Sequence, residues 1–146
     1  MIVKATLALG AGSLSSQRDD GTVNDWWTGY GELEVAASLD YDPSAELGVA
    51  AQMGDDDRGS MVILRGRLVR PLDGDLSYFG MLGVPISNSP AWRLGPEVGA
   101  GLLYALSPRA YLQSNLHFDA LFALDPLSKV GTVFMFNASV GGRMIF

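Results

Sequence analysis

The sequence predicts an all-β protein, an eight-stranded antiparallel up-and-down barrel that crosses a membrane. Three observations carry this. Apolar and polar residues alternate with a period of two along most of the chain, as in a strand whose two faces meet different surroundings. The 18 glycines among 146 residues are scattered through the apolar stretches, where each would cost a helix about 1 kcal/mol relative to Ala. Turn residues divide the chain into an even number of segments, so the last strand can pair with the first.

Those segments are 2–13, 26–40, 45–54, 61–70, 76–87, 93–106, 110–124 and 131–146, forming a single domain over 1–146. The first could pass for the charged start and apolar core of a secretory signal, but its apolar stretch is short and broken by Gly10 and Gly12. Its alternation matches the rest of the chain, so it reads as strand one. The second, third and fourth place Glu32, Glu34, Glu46, Arg65 and Arg67 on a polar face. In the fifth, Phe79 and Met81 compete with Tyr78, Leu82 and Val84 for the apolar face, which leaves its parity open. The sixth carries Glu97 and the apolar run from Ala100 to Leu106. The seventh is the clearest: Leu112, Ser114, Leu116, Phe118, Ala120 and Phe122 alternate with Tyr111, Gln113, Asn115, His117, Asp119 and Leu121. The eighth sets Phe134, Phe136, Ala138, Val140, Met144 and Phe146 against Met135, Asn137, Ser139 and Arg143.

Connections alternate in character. Tyr41-Asp42-Pro43-Ser44, Pro71-Leu72-Asp73-Gly74-Asp75 and Ser107-Pro108-Arg109 are tight and follow even-numbered segments, while 14–25, 54–60, 87–92 and 125–129 emerge at the opposite end. Both termini belong to the end with the tight turns.

Composition excludes much else. The chain has no Cys, one His and a net charge of -6, which removes disulfide scaffolds, thiolate sites and multi-histidine zinc centres and argues against nucleic acid as a partner. The longest apolar runs fall far short of the roughly 20 residues of a membrane-spanning helix.

Alternation alone does not say which face is outside. Trp26, Trp27 and Trp92 fall beside the long connections, and Tyr41, Tyr104, Tyr111 and Phe146 at the tight-turn end, which gives two aromatic girdles at membrane interfaces. The polar face carries Lys4, Arg65, Arg67 and Arg143 against Glu32, Glu34, Glu46, Glu97 and Asp119, with His117 among them, a near balance of sign that a narrow lumen requires. Gly29, Gly31, Gly66, Gly80 and Gly142 fall on the apolar face, where lipid tolerates small residues but a dry core would have holes. The apolar face is therefore expected outside. The rival is a soluble lipocalin-like barrel holding a small apolar ligand.

The stretch 98–112, running through Gly99, Gly101, Tyr104, Pro108 and Tyr111, resembles the penultimate hairpin of small bacterial outer-membrane barrels of the OmpA-like or OmpX-like kind. The ending Val140-Gly141-Gly142-Arg143-Met144-Ile145-Phe146 resembles the signal such proteins present to the outer-membrane assembly machinery. The resemblance implies a non-enzymatic monomer in a bacterial outer membrane, with long loops extracellular and both termini periplasmic. Its partners would be the lipid bilayer, or detergent in its place, and the assembly machinery through the last strand. The implied role is envelope structure or surface contact, with no cofactor or metal.

Small outer-membrane lipid A deacylases also resemble this fold. Their active sites carry a His-x-Ser pair on one strand with an acidic partner, whereas Asp119 stands two residues after His117 here. Ser114 has the wrong parity for His117, and Ser139 the right one. The charges of Arg65, Arg67, Glu32, Glu34 and Glu46 could instead line an ion pathway, but eight strands enclose an interior that side chains fill. The acidic loop tips Asp55-Asp56-Asp57-Arg58-Gly59-Ser60 and Asp19-Asp20-Gly21 lack the spacing of an EF-hand and read as solvated loops. Gly10-x-Gly12, Gly29-x-Gly31 and Gly99-x-Gly101 precede no helix and read as strand glycines relieving curvature or crowding.

Overall fold

Period-two alternation becomes nine strands in the computed structural model, which describes residues 1–18, 21, 23–39, 42–55, 58–88, 91–125 and 130–146, with backbone only at 18, 23, 24, 39, 42, 43 and 130. They are β1 (Ile2–Arg18), β2 (Val23–Leu39), β3 (Asp42–Gly54), β4 (Ser60–Asp73), β5 (Leu76–Ser87), β6 (Arg93–Leu94), β7 (Glu97–Ser107), β8 (Ala110–Ala123) and β9 (Val130–Ile145). All pairings are antiparallel. β1 pairs with β2 on one side and with β9 on the other, Ala8 lying opposite both Glu32 and Gly141, so the sheet closes on itself without an edge.

β6 and β7 are two parts of one passage. Pro96 brings no N–H to the ladder, and Gly95 approaches Ala120 so closely that a Cβ on it would overlap the Ala120 carbonyl oxygen. Pairing lapses there, with the Ala120 N–H reaching the Pro96 carbonyl at 3.1 Å. The barrel is thus eight passages around, the predicted architecture.

Three boundaries differ from expectation, the first being that Asp42, Pro43 and Ser44, read as turn residues, open β3. Residues 14–25, read as a polar loop, are largely a hairpin continuation, with Leu14 opposite Trp26 and Gln17 opposite Val23. The strands have 17 residues each, beyond the 9–11 that cross a bilayer. The hairpin can therefore project into water, where serines are as acceptable as leucines. Pro71 and Asp73, read as turn residues, pair with Ser77 and Leu76, leaving the turn to Gly74 and Asp75. Gly74 takes a φ of 50°, which favours glycine.

The apolar face is outside. Leu9 is 74% exposed and Leu82 69%, while Arg65 is 1% and Asp119 0%, the inverse of a soluble barrel and the arrangement of a transmembrane one. This corrects the lipocalin-like alternative. The fifth segment takes the same sense, with Phe79 and Met81 inward and Tyr78, Leu82 and Val84 outward. Gly80 and Gly142 open outward with free space beside them, whereas Gly10, Gly12 and Gly101 face inward, where Tyr30, Asn137 and Phe79 take the room a Cβ would need.

Candidate functional site in the barrel lumen

Inward positions at mid-barrel are polar because the strand pattern puts them there, and the structure brings all ten residues of the sequence-derived network into the lumen, each less than a tenth exposed. Arg65 of β4 is the hub. Its Nε and Nη2 donate to Glu97 of β7 at 2.6 and 2.8 Å, and its Nη1 donates to Glu32 and Glu34 of β2 at 2.8 and 2.6 Å. Arg67 donates to the same Glu34 oxygen at 2.6 Å and lies over the Phe79 ring, 4.9 Å from its centroid. Gln52 donates to Glu32 at 2.8 Å. Nearer the tight-turn end, Glu46 joins Lys4, at 2.5 Å, to Arg143. The Arg65–Glu97 pair uses the guanidinium fork in the two-bond geometry that makes Arg–carboxylate contacts strong.

His117 and Asp119 stand apart from the hub's direct bonds. His117 Nε2 lies 3.6 Å from Asp119 Oδ2 and 3.9 Å from Glu97 Oε2, beyond hydrogen-bond length. Asn137 donates to Asp119 Oδ2 at 2.8 Å. His117 packs edge-on to Tyr30, 6.2 Å between ring centroids. Gly99 lies opposite His117, and a Cβ there would come within 2.7 Å of the His117 Cβ. Ser139, the serine of inward parity, donates to Asn115 at 2.7 Å.

Two cations lie outside the predicted network. Arg93 is buried and shares the inward parity of Glu97, so the strand pattern contained that signal. Arg58 comes from a connection read as solvated, yet its guanidinium folds back into the lumen. It donates to Thr28, Gln52 and Asn137 at 3.2, 3.1 and 2.7 Å and sits over Tyr30, 4.0 Å from the ring centroid. No period-two rule finds it, because the residue belongs to no strand. Its neighbours Asp56 and Asp57, like Asp19 and Asp20, lie outside the described residues.

Apolar side chains also pack inside the barrel, in two clusters. Leu14, Ala50, Met61, Ile63, Leu121, Val133 and Met135 form one cluster and Phe79, Met81 and Leu103 another. Two girdle aromatics belong to these clusters instead. Trp26 packs against the first and Tyr111 against the second, since both have inward parity. Trp27, Trp92, Tyr104 and Phe146 are exposed on the outside, and Tyr41 lies outside the described residues. The larger cavities, of about 810 and 550 Å³, are lined mainly by small and apolar residues such as Leu9, Ala100, Leu116 and Val140 in the first and Leu68, Gly80 and Leu82 in the second. They are grooves of the lipid-facing wall. A smaller one, about 380 Å³, opens at the tight-turn end beside Lys4, Glu46 and Arg143.

A closed antiparallel barrel with an apolar exterior and an ion-paired interior defines the class of small transmembrane β-barrels. Bacterial outer-membrane proteins of solved structure share this fold. Neisserial surface protein A superposes with a TM-score of 0.69 at 11% identity, covering 96% of each chain. The N-terminal barrel domain of Pseudomonas aeruginosa OprF gives 0.57 at 14%, covering 95% of this chain and 97% of that one. Ail, the attachment invasion locus protein of Yersinia pestis, crystallised with the heparin analogue sucrose octasulfate, gives 0.54 at 13% over the whole of both. At these identities the likeness is one of fold, the small outer-membrane barrel fold that the hairpin and the C-terminal segment resemble. No protein-family model matches the chain, and no curated protein does.

Proposed function

We propose that the chain is a monomeric, non-enzymatic protein of a bacterial outer membrane that serves envelope structure or surface contact and holds no permanent pore. The observation that carries this is the Arg65 hub, which ties β4 to β2 and β7 across the lumen. A water-filled path would have to break several buried charge pairs at once, and removing one partner of such a pair costs about 3–5 kcal/mol. An interior of eight passages is the width that side chains fill.

The acyl-hydrolase reading fares poorly on geometry. A serine nucleophile needs a histidine base within about 3.2 Å, and Ser139 spends its proton on Asn115. The longer connections would face the cell exterior and the termini the periplasm, with the last strand and Phe146 engaging the assembly machinery. Contact through the loops would favour cationic or neutral partners over sulfated polyanions, since Asp25, Asp55 and Asp125 are the exposed charges among the described residues at that end.

Refolding with and without detergent micelles, followed by unheated and boiled samples on one SDS gel, tests the membrane reading. A heat-dependent shift obtained only with detergent is expected; a soluble monomer folded without detergent overturns it. Planar bilayers holding inserted protein should stay electrically silent, and discrete steps altered by Glu32→Gln would establish a channel instead. Turnover of lipid A, lost in folded His117→Ala and Ser139→Ala, would establish an enzyme.

A further inference from the structure

We propose that Glu97, His117 and Asp119 form a buried site for one divalent transition-metal ion of the Zn²⁺ kind. One ligand atom from each lies within 4.8 Å of the others. Bonds of about 2.0–2.2 Å at a tetrahedral ion place neighbouring ligand atoms roughly 3.3–3.6 Å apart, and His117 Nε2 stands 3.6 Å from Asp119 Oδ2 and 3.9 Å from Glu97 Oε2. Those two separations need to change by only a few tenths of an ångström, while the set as a whole, which spans up to 4.8 Å, would have to draw in by about an ångström.

One further observation points to a ligand. Both ring nitrogens of His117, which is 2% exposed, have no hydrogen-bond partner in the protein, and buried polar atoms of native proteins nearly always have one.

The supporting groups are already in place. Asn137 fixes the Asp119 carboxylate through Oδ2 at 2.8 Å, and Arg65 fixes Glu97 through both oxygens, the outer hydrogen bonds that orient metal ligands. Register holds the three together. Glu97 lies directly opposite Asp119, and His117 shares Asp119's strand face two residues away. One imidazole with two carboxylates suits Zn²⁺ or Co²⁺ better than Ca²⁺, which takes six to eight oxygens. Because the site is sealed, the ion would enter as the barrel folds.

The test refolds the full chain into micelles with Zn²⁺ or Co²⁺, strips loose ions with a chelator, and counts metal in protein verified as folded by its heat-dependent gel shift. Near-stoichiometric metal is expected in the parent chain and in Asp55→Asn, which alters only a loop carboxylate. His117→Gln and Asp119→Asn should each lose roughly tenfold or more. Folded parent chain without metal overturns the proposal, as does equal retention by both variants, which would mark adventitious binding or a site filled by water. Should neither variant refold, Co²⁺ in the parent chain decides. Intense visible absorption marks an ion in a low-coordinate protein site, and the weak bands of hydrated Co²⁺ overturn the proposal.

Discussion

Arg65 grips Glu97 with two nitrogens, Nε to Oε1 at 2.6 Å and Nη2 to Oε2 at 2.8 Å, while its remaining nitrogen holds Glu32 and Glu34. One side chain thus answers three buried carboxylates on two separate strands. The arrangement makes the lumen a brace across the barrel as well as a filling.

Arg65→Ala is therefore expected to be the most damaging single change in the network. It would leave Glu32, Glu34 and Glu97 short of their shared cation, with Arg67 and Gln52 as the remaining side-chain donors to the first two among the described residues. The expected loss is about 3–5 kcal/mol, the range for breaking a buried pair, read from urea unfolding of micelle-bound protein. Arg65→Ala with Glu97→Ala should cost clearly less than the sum of the single changes. Additive losses, or a loss below about 1 kcal/mol, would mean that water supports these carboxylates unaided.

The outer face gives a depth-dependent prediction. Leu116 is exposed near the middle of β8, and Leu106 is exposed beside the tight turn that ends β7. Arginine at a lipid-facing position costs about 2–4 kcal/mol at the bilayer midplane and roughly 0–1 near an interface. Leu116→Arg should accordingly lower stability in lipid vesicles far more than Leu106→Arg. Equal, small effects would mean that this face does not meet hydrocarbon.

Strand parity made most of this molecule legible. Because side chains alternate strictly, a short run with Leu116, Phe118 and Phe122 on one face fixes where His117 and Asp119 go, and the same reasoning places Arg65 and Glu34. It failed where position along the strand was used without parity. Trp26 and Tyr111 sit at girdle height, but both face inward and pack against the inner apolar clusters. It was silent on Arg58, whose place depends on a tight connection. The Arg58 N–H bonds the Asp55 carboxylate at 3.1 Å, and the Gly59 N–H bonds the Asp55 carbonyl at 2.7 Å. The lapse at Gly95 and Pro96 could have been anticipated, since proline cannot donate to a central ladder. Polar composition misled at Leu14 to Gln17, where a strand outside the bilayer has no need of apolar residues.

Two glycines on neighbouring strands separate crowding from exposure. Gly101 faces inward, and a Cβ on it would overlap the Ser114 carbonyl oxygen and the Phe79 ring. Gly101→Ala should destabilise by about 1–3 kcal/mol, the usual cost of overpacking. Gly80 looks outward with nothing within 4 Å of the same atom, and its φ is not positive. Gly80→Ala should be neutral or stabilising by up to about 1 kcal/mol through the unfolded chain. Chemical unfolding of the pair checks this, and a reversed order would mean that the inward and outward faces of these strands are wrongly assigned.

Arg58 pins its connection to the barrel interior, and cutting that tie should loosen the loop before it loosens the strands. Alanine would remove hydrogen bonds to Thr28, Gln52 and Asn137 together with the contact over Tyr30. Hydrogen bonds to a charged group contribute about 1.5–3 kcal/mol, and a desolvated cation over an aromatic ring about 2. Their acceptors are neutral, so no carboxylate is stranded, and the net cost of Arg58→Ala should fall near 2–3 kcal/mol, below that of Arg65→Ala. Limited proteolysis of the refolded protein should then cut between Gly54 and Ser60 sooner than in the parent chain, with the rest of the barrel still resistant. Arg58→Lys keeps the charge but loses the planar fork that serves three acceptors at once, so it should recover only part of the protection. Full protection in the lysine variant would assign the tie to charge alone, and unchanged cleavage in the alanine variant would show that the loop is held by its backbone bonds at Asp55 and Gly59.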